Sequence, residues 1–200
     1  MRHWKAWLLL ALALWAGWSW WGSRPVARAA GVIAPGDPVQ LEFDAPQPPI
    51  ALEDATLHPL ARFSLTARVL SREDYRFDAE ADLSPTDLAL GWGRMSDTAV
   101  LGDIDIGQSG RFYHWQVKAF PIPRQEIESH SANMHMIPAD AQVAHALKRV
   151  RAGDVIVIDG MLVEADKPDG WRWRSSMTRS DTGAGACELV YVKDLRIEPR

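Results

Sequence analysis

Apolar and polar positions alternate strictly from Phe63 to Val69, with Phe63, Leu65, Ala67 and Val69 on one side and Ser64, Thr66 and Arg68 on the other. That period of two is the mark of a half-buried strand. Arg111 to Lys118 repeats it, with Tyr113, Trp115 and Val117 opposed to Phe112, His114 and Gln116. Asp154 to Val163 is apolar on both faces, as a central strand requires, and Gly160 within it marks a bulge or bend. The turn Lys167-Pro168-Asp169-Gly170 leads into Trp171-Arg172-Trp173-Arg174, and Leu189 to Ile197 supplies a last strand. Two stretches read as helix. Ser84-Pro85-Thr86-Asp87 carries capping-box residues with proline at the first helical position, and Gly93 closes that short helix. Ala139 to Val150 places Val143, Leu147 and Val150 on one face, gathers Lys148, Arg149 and Arg151 at its C-terminal end and stops at Gly153.

The N-terminus follows a different rule. Residues 6–22 form one uncharged run of 17 residues, which as a helix spans roughly 25 Å. Six of the ten tryptophans fall in the first 21 residues, with Trp4 and Trp7 at one end of the run and Trp18, Trp20 and Trp21 at the other. Such aromatic belts flank a membrane anchor. A cleaved signal peptide is the alternative, with Ala27-Arg28-Ala29 as its exit. Either way the bulk of the chain lies outside the cytoplasm. Seven of the thirteen prolines then lie between Pro25 and Pro59, without sustained periodicity, so residues 23–59 read as an extended Pro-rich tether. The expected division is 1–22 anchor, 23–59 tether and 60–200 a β-rich globular domain.

Two resemblances add to this. The run from Leu147-Lys148-Arg149-Val150 through Gly153-Asp154 to Asp159-Gly160 resembles segments of OB-fold domains, where a helix plugs a five-stranded barrel. It implies a mainly β (α+β) chain with a small OB-like curved β-barrel and one or two packed helices, preceded by the transmembrane helix read from residues 6–22. The blocks Gly91-Trp92-Gly93-Arg94-Met95-Ser96-Asp97, His130-Ser131-Ala132-Asn133-Met134-His135 and Asp181-Thr182-Gly183-Ala184-Gly185-Ala186-Cys187-Glu188 resemble those of a family of uncharacterised proteobacterial membrane-anchored proteins. That likeness spans most of residues 60–200. It implies a bacterial inner-membrane setting with the C-terminal domain in the periplasm, and it carries over no activity and no site residues.

Charge narrows the partners. The formal charge is −4, and setting aside Arg2 and Lys5 leaves −6, which repels phosphate backbones and disfavours nucleic acid. Cys187 is the only cysteine, so no internal disulfide forms, and its place at the head of an apolar strand favours burial.

The candidate chemistry is sparse. His130 and His135, with His114 and Glu126, are the nearest approach to a ligand set for a divalent metal such as zinc, and a helix over 123–130 sets Glu126 one turn before His130. Trp171 and Trp173 beside Arg172 and Arg174 offer an aromatic and a basic face for bases or sugars, or else a core face and a wet face. Asp181-Thr182-Gly183-Ala184 matches the aspartic-protease tetrapeptide, but in one copy and without the apolar strand that precedes such loops. Asp103 and Asp105 share one side of a strand, as cation ligands or as solvated carboxylates. No complete catalytic set is legible. The expected role is a cofactor-free binding module that engages another envelope protein. The alternatives are a metal-dependent hydrolase acting on an envelope component and an oligosaccharide- or nucleotide-binding barrel.

Overall fold

The computed structural model describes residues 7–10, 12, 14, 24–178 and 187–200. The chain is mainly β. Among the described residues ten strands run β1 (Val39–Glu42), β2 (Ile50–Ala51), β3 (Thr56–Asp74), β4 (Thr86–Gly91), β5 (Ile104–Ser109), β6 (Phe112–Val117), β7 (Ser131–Pro138), β8 (Val155–Asp166), β9 (Arg172–Arg174) and β10 (Glu188–Ile197). Short helices lie between them: α1 (Thr98–Leu101), α2 (Arg124–Ser129) and α3 (Ala141–Leu147). A 3-10 turn, Gly93–Ser96, precedes α1.

The pairings close on themselves. β3 pairs with β4, β4 with β7, β7 with β10, β10 with β8, and β8 returns to β3. All are antiparallel except β7 with β10, which is parallel. The ring is possible because β3 is long enough to serve two neighbours. Thr56 to Arg68 lies along β8, and Arg68 to Asp74 along β4. Each ring strand sends alternate residues to one interior cluster: Phe63 and Leu65 from β3, Leu88 and Leu90 from β4, Met134 and Met136 from β7, Ile156 and Ile158 from β8, Val190 and Val192 from β10. Val143, Ala146 and Leu147 of α3 pack into the same cluster. Burying each such large apolar side chain contributes about 1.5–3 kcal/mol, so this interior dominates the cohesion of the ring. Asp140 caps α3 by accepting the Val143 N–H at 2.8 Å.

Gly160 sits where two strands come close, since a Cβ there would lie 2.2 Å from the Tyr191 carbonyl oxygen. The register break falls on the facing strand, between Val192 and Asp194 of β10. The bend read from Gly160 is therefore shared: glycine admits the approach and the partner strand carries the extra residue.

Two expectations are corrected. The helix expected from Ser84 to its stop at Gly93 does not form: Thr86–Gly91 is β4, buried along its whole length and paired on both edges, and Gly93 opens the 3-10 turn. The local capping signals are real, but two flanking strands offer every backbone group a partner, and Leu88 and Leu90 reach the interior only from an extended chain. Of the expected tether, residues 23–59, the described part, 24–59, is not free either. Val26 N–H donates to the Ala152 carbonyl at 2.7 Å, Gly31 N–H to Asp97 at 2.8 Å and Ala34 N–H to Ser96 Oγ at 3.1 Å. β1 and β2 then pair with β3. The segment is a strap along the domain, and the domain's first strands lie before residue 60.

The expected anchor, residues 6–22, falls largely outside the described residues. Residues 7–10 are helical, and among the described residues no helix is long and apolar enough to cross a membrane.

Candidate functional site

Interior-facing residues of β7 are Ala132, Met134 and Met136, so Ser131, Asn133 and His135 point outward. Asp87, the cross-strand partner of His135, likewise faces out from β4. A polar row on the outer face of a ring ought to be wet. Here it is buried, with Asp87 at 0% and His135 at 3% exposure, because the β5–β6 hairpin and β9 cover it.

The cover is held by Arg111. Gly110 and Arg111 form the hairpin turn with φ of 55° and 68°. Left-handed values at both positions define the type I′ turn that suits a two-residue loop. From there the Arg111 guanidinium donates Nη1 to Asp87 Oδ1 at 3.1 Å, and Nε and Nη2 to the two Asp78 oxygens at 2.8 Å each. It also lies 4.0 Å from the Tyr75 ring centroid and 5.5 Å from that of Trp173. The Arg111 N–H donates to the Tyr75 hydroxyl oxygen at 3.0 Å. Burial, with the Asp87 carboxylate next in effect, pushes the Tyr75 phenol up to about 12. Asn133 completes the latch. It donates to the Arg111 carbonyl at 3.1 Å and accepts from Gln108 Nε2 at 2.6 Å. His135 Nδ1 stands 2.9 Å from Asp87 Oδ1, an ion-pair distance without the alignment of a hydrogen bond.

Beside the latch the hairpin overhangs a cleft of about 630 Å³. One wall is the whole of β6, Phe112 through Val117; the other is Ser131, Ala132 and Asn133 at the start of β7, with Arg124, Glu128 and Ser129 of α2 at the rim. Trp92, Phe120 and Glu188 also face it. Phe112 and Phe120 are 51% and 52% exposed. Arg124 pairs with Glu128 at 2.8 Å, and its guanidinium lies 5.9 Å from the Trp115 ring centroid. Tyr113 donates its hydroxyl to Ser131 Oγ at 3.1 Å, and Ser131 passes its own to the Ile127 carbonyl at 2.6 Å. Burial pushes the Tyr113 phenol up to about 12, so at neutral pH it is an uncharged donor. Half-buried Cys187 borders the cleft, with Sγ 3.9 Å from Asn133 Nδ2. Aromatic faces, neutral hydroxyls and amides in a half-open groove make a surface for recognition.

The residues picked from sequence are placed elsewhere, or apart. His135 is in the latch, its ring centroid 4.5 Å from that of Trp173. His130 ends α2, with its ring 6.3 Å from Trp92 and Nε2 3.8 Å from Asp37. Glu126 is engaged by Arg94 in a two-pronged pair, which holds its carboxyl below the usual range. His114 is on the exposed side of β6, against Gly107. Among the described residues no three His, Cys, Asp or Glu side chains converge on a metal position. The four metal candidates thus occupy separate surroundings, and only His114 touches the cleft.

Trp171 and Trp173 do not form an open stacking face. Both are half-buried, edge to face at 6.0 Å, packed on the cluster of Leu57, Ile137 and Val163. Arg172 is exposed, and Arg174 pairs with Glu164. The tetrapeptide Asp181 to Ala184 lies outside the described residues.

Asp87, Arg111, Asn133 and the free side of β6 were not singled out from sequence. The strand read at Arg111 to Lys118 contains β6, but Arg111 itself stands in the turn before it. No protein-family model, curated protein or solved structure matches this chain.

Proposed function

We propose that the chain is an envelope binding module, anchored in the bacterial inner membrane by residues 6–22, whose periplasmic domain takes its ligand in the cleft beneath the β5–β6 hairpin. The observation that carries this reading is the cleft itself: about 630 Å³, rich in aromatic side chains and roofed by a hairpin that a buried ion pair fastens in place. A fixed aromatic groove is what a binding protein requires. The uninterrupted apolar run with tryptophans at both ends supports the anchor.

The scaffold we read as an OB-like barrel. The ring order β3-β4-β7-β10-β8, the parallel pairing of its third and fifth strands, and a helix between the third and fourth all favour that reading. OB barrels bind many ligand types, so the scaffold names none. Among the described residues the four candidate ligands do not converge, so the hydrolase alternative draws no support from them.

In-cell photocrosslinking tests the cleft. The full-length chain would carry p-benzoylphenylalanine in place of Phe112, Phe120 or Phe77, the last being 98% exposed and not part of the cleft lining. A discrete adduct from positions 112 and 120 but not 77 is expected. Adducts from all three alike, or from none, would sink the proposal.

A further inference from the structure

We propose that the free edge of β6 receives an extended segment of a partner protein as an added strand, lying in the cleft between β6 and the start of β7. This rests on the binding role proposed above and names the partner it fits.

Pairing comes first. Among the described residues β6 pairs only with β5, from Ile104 with Val117 to Ser109 with Phe112. The two-residue type I′ turn makes Ser109 and Phe112 a hydrogen-bonded pair, and such pairs alternate along an antiparallel ladder. Phe112, His114 and Gln116 therefore turn their backbone groups toward β5. Tyr113, Trp115 and Val117 turn theirs toward the opposite edge.

That edge faces the cleft. A strand seen face-on lines a cavity with every second residue, whereas all six residues of β6 line this one. The facing wall differs: Ser131 and Asn133 turn their side chains outward to the groove, Ser131 accepting from the Tyr113 hydroxyl and Asn133 donating to the Arg111 carbonyl. One backbone edge, that of β6, thus looks into the groove, and an extended chain is the ligand that answers it.

Chemistry refines the partner. An added strand places alternate side chains over Phe112 and Phe120, whose apolar surface is half exposed. At the rim Arg124 already pairs with Glu128. The fitting segment is apolar at alternate positions. Six residues of β6 offer a length of roughly 20 Å at about 3.3 Å per residue.

The test uses the full chain in detergent micelles and a phage-displayed library of random linear peptides. An enriched peptide, synthesised, is then the probe. Its binding should slow amide exchange at Tyr113, Trp115 and Val117. Val117→Pro removes one edge N–H at a place where an edge strand tolerates proline, while Val117→Ala keeps that N–H and shortens the side chain. We expect Val117→Pro to weaken the peptide by about tenfold or more and Val117→Ala by less than about threefold, with β5–β6 exchange in both free variants as in the parent. Equal binding by Val117→Pro and the parent overturns strand addition, as does protection confined to other strands or a library that yields nothing above scrambled peptide. Trp115→Ala separates the two proposals. Binding lost in Trp115→Ala but kept in Val117→Pro leaves the cleft as the seat and removes the added strand. Binding indifferent to both, with silent crosslinking at Phe112 and Phe120, removes the cleft as well.

Discussion

Arg111 and Asp87 meet where the hairpin crosses the ring, Nη1 to Oδ1 at 3.1 Å, with the carboxylate at 0% exposure and the guanidinium at 11%. The hairpin is also tied to the ring by Tyr113 to Ser131, by Gln108 and the Arg111 carbonyl to Asn133, and by apolar packing of Ile104, Ile106, Trp115 and Val117 with Leu70, Met95 and Ile127. To these the pair adds a buried charged tie that fixes the roof of the cleft.

Removing the cation leaves the carboxylate buried beside His135. Arg111→Ala is expected to destabilise the protein by about 3–5 kcal/mol, as breaking a buried pair does. Arg111→Gly loses the same ion pair but relieves the left-handed backbone, φ 68°, and should recover about 1–2 kcal/mol of that loss. Urea denaturation of both variants checks the order. Arg111→Ala lying within about 1 kcal/mol of the parent would mean that the latch contributes little.

Gly160 and Gly170 separate space from backbone strain. A methyl group at Gly160 meets the Tyr191 carbonyl oxygen at 2.2 Å, so Gly160→Ala must part β8 from β10. At Gly170 nothing lies within 4 Å, and only its φ of +91° resists a side chain. Gly170→Ala should cost about 1–2 kcal/mol. Gly160→Ala should cost more than twice that, through lost ladder bonds and a disturbed interior. Thermal melts of the two variants give the comparison, and equal midpoints would contradict the close approach.

These positions also show what a single sequence discloses. The strand at Phe63–Val69 was legible from its period of two, which matches a ring with an inside and an outside, and those at Asp154–Val163 and Leu189–Ile197 from their apolar runs. The helix ending before Gly153 was legible from its caps. β4 was not, since Ser84 and Pro85 imitate a helix start and the two strands that overrule them come from remote parts of the chain. The candidate site was hidden for the same reason. Asp87, Arg111 and Asn133 are separated by more than twenty residues each and carry no shared motif; only the fold brings them together. The tryptophans of β9 drew attention by their spacing, yet Trp173 serves as a wall against His135.

Asp97 ties the strap to the ring. Its carboxylate accepts the N–H groups of Gly31 and Ala99, and these bonds hold it below the usual value of 3.8. A depressed carboxylate stabilises the fold above its unfolded value, and that contribution is lost as pH falls through the lower folded value. Exchange of the Gly31 N–H should therefore quicken, relative to neighbouring amides, as pH drops below 3.8. Asp97→Asn keeps an acceptor and should abolish this dependence. A Gly31 amide whose relative protection is the same above and below that value would show that Asp97 does not hold the strap.

Tyr113 gives the complementary test at high pH, inside the cleft. Its phenol, ordinarily near 10.0, is pushed up to about 12 by burial, partly offset by its bond to Ser131. A group raised on folding lends its full stability below the unfolded value and loses it as pH climbs through the folded one. Two units amount to about 2–3 kcal/mol, so the parent protein should weaken by that order between pH 10 and pH 12. Tyr113→Phe has no proton to lose. At neutral pH it should be less stable by about 1 kcal/mol, the worth of the lost hydrogen bond to Ser131. As pH rises through 10 the gap should close and then reverse, because only the parent carries the Tyr113 slope. Parallel curves of unfolding free energy for the two proteins would place this phenol in water, and with it the floor of the cleft.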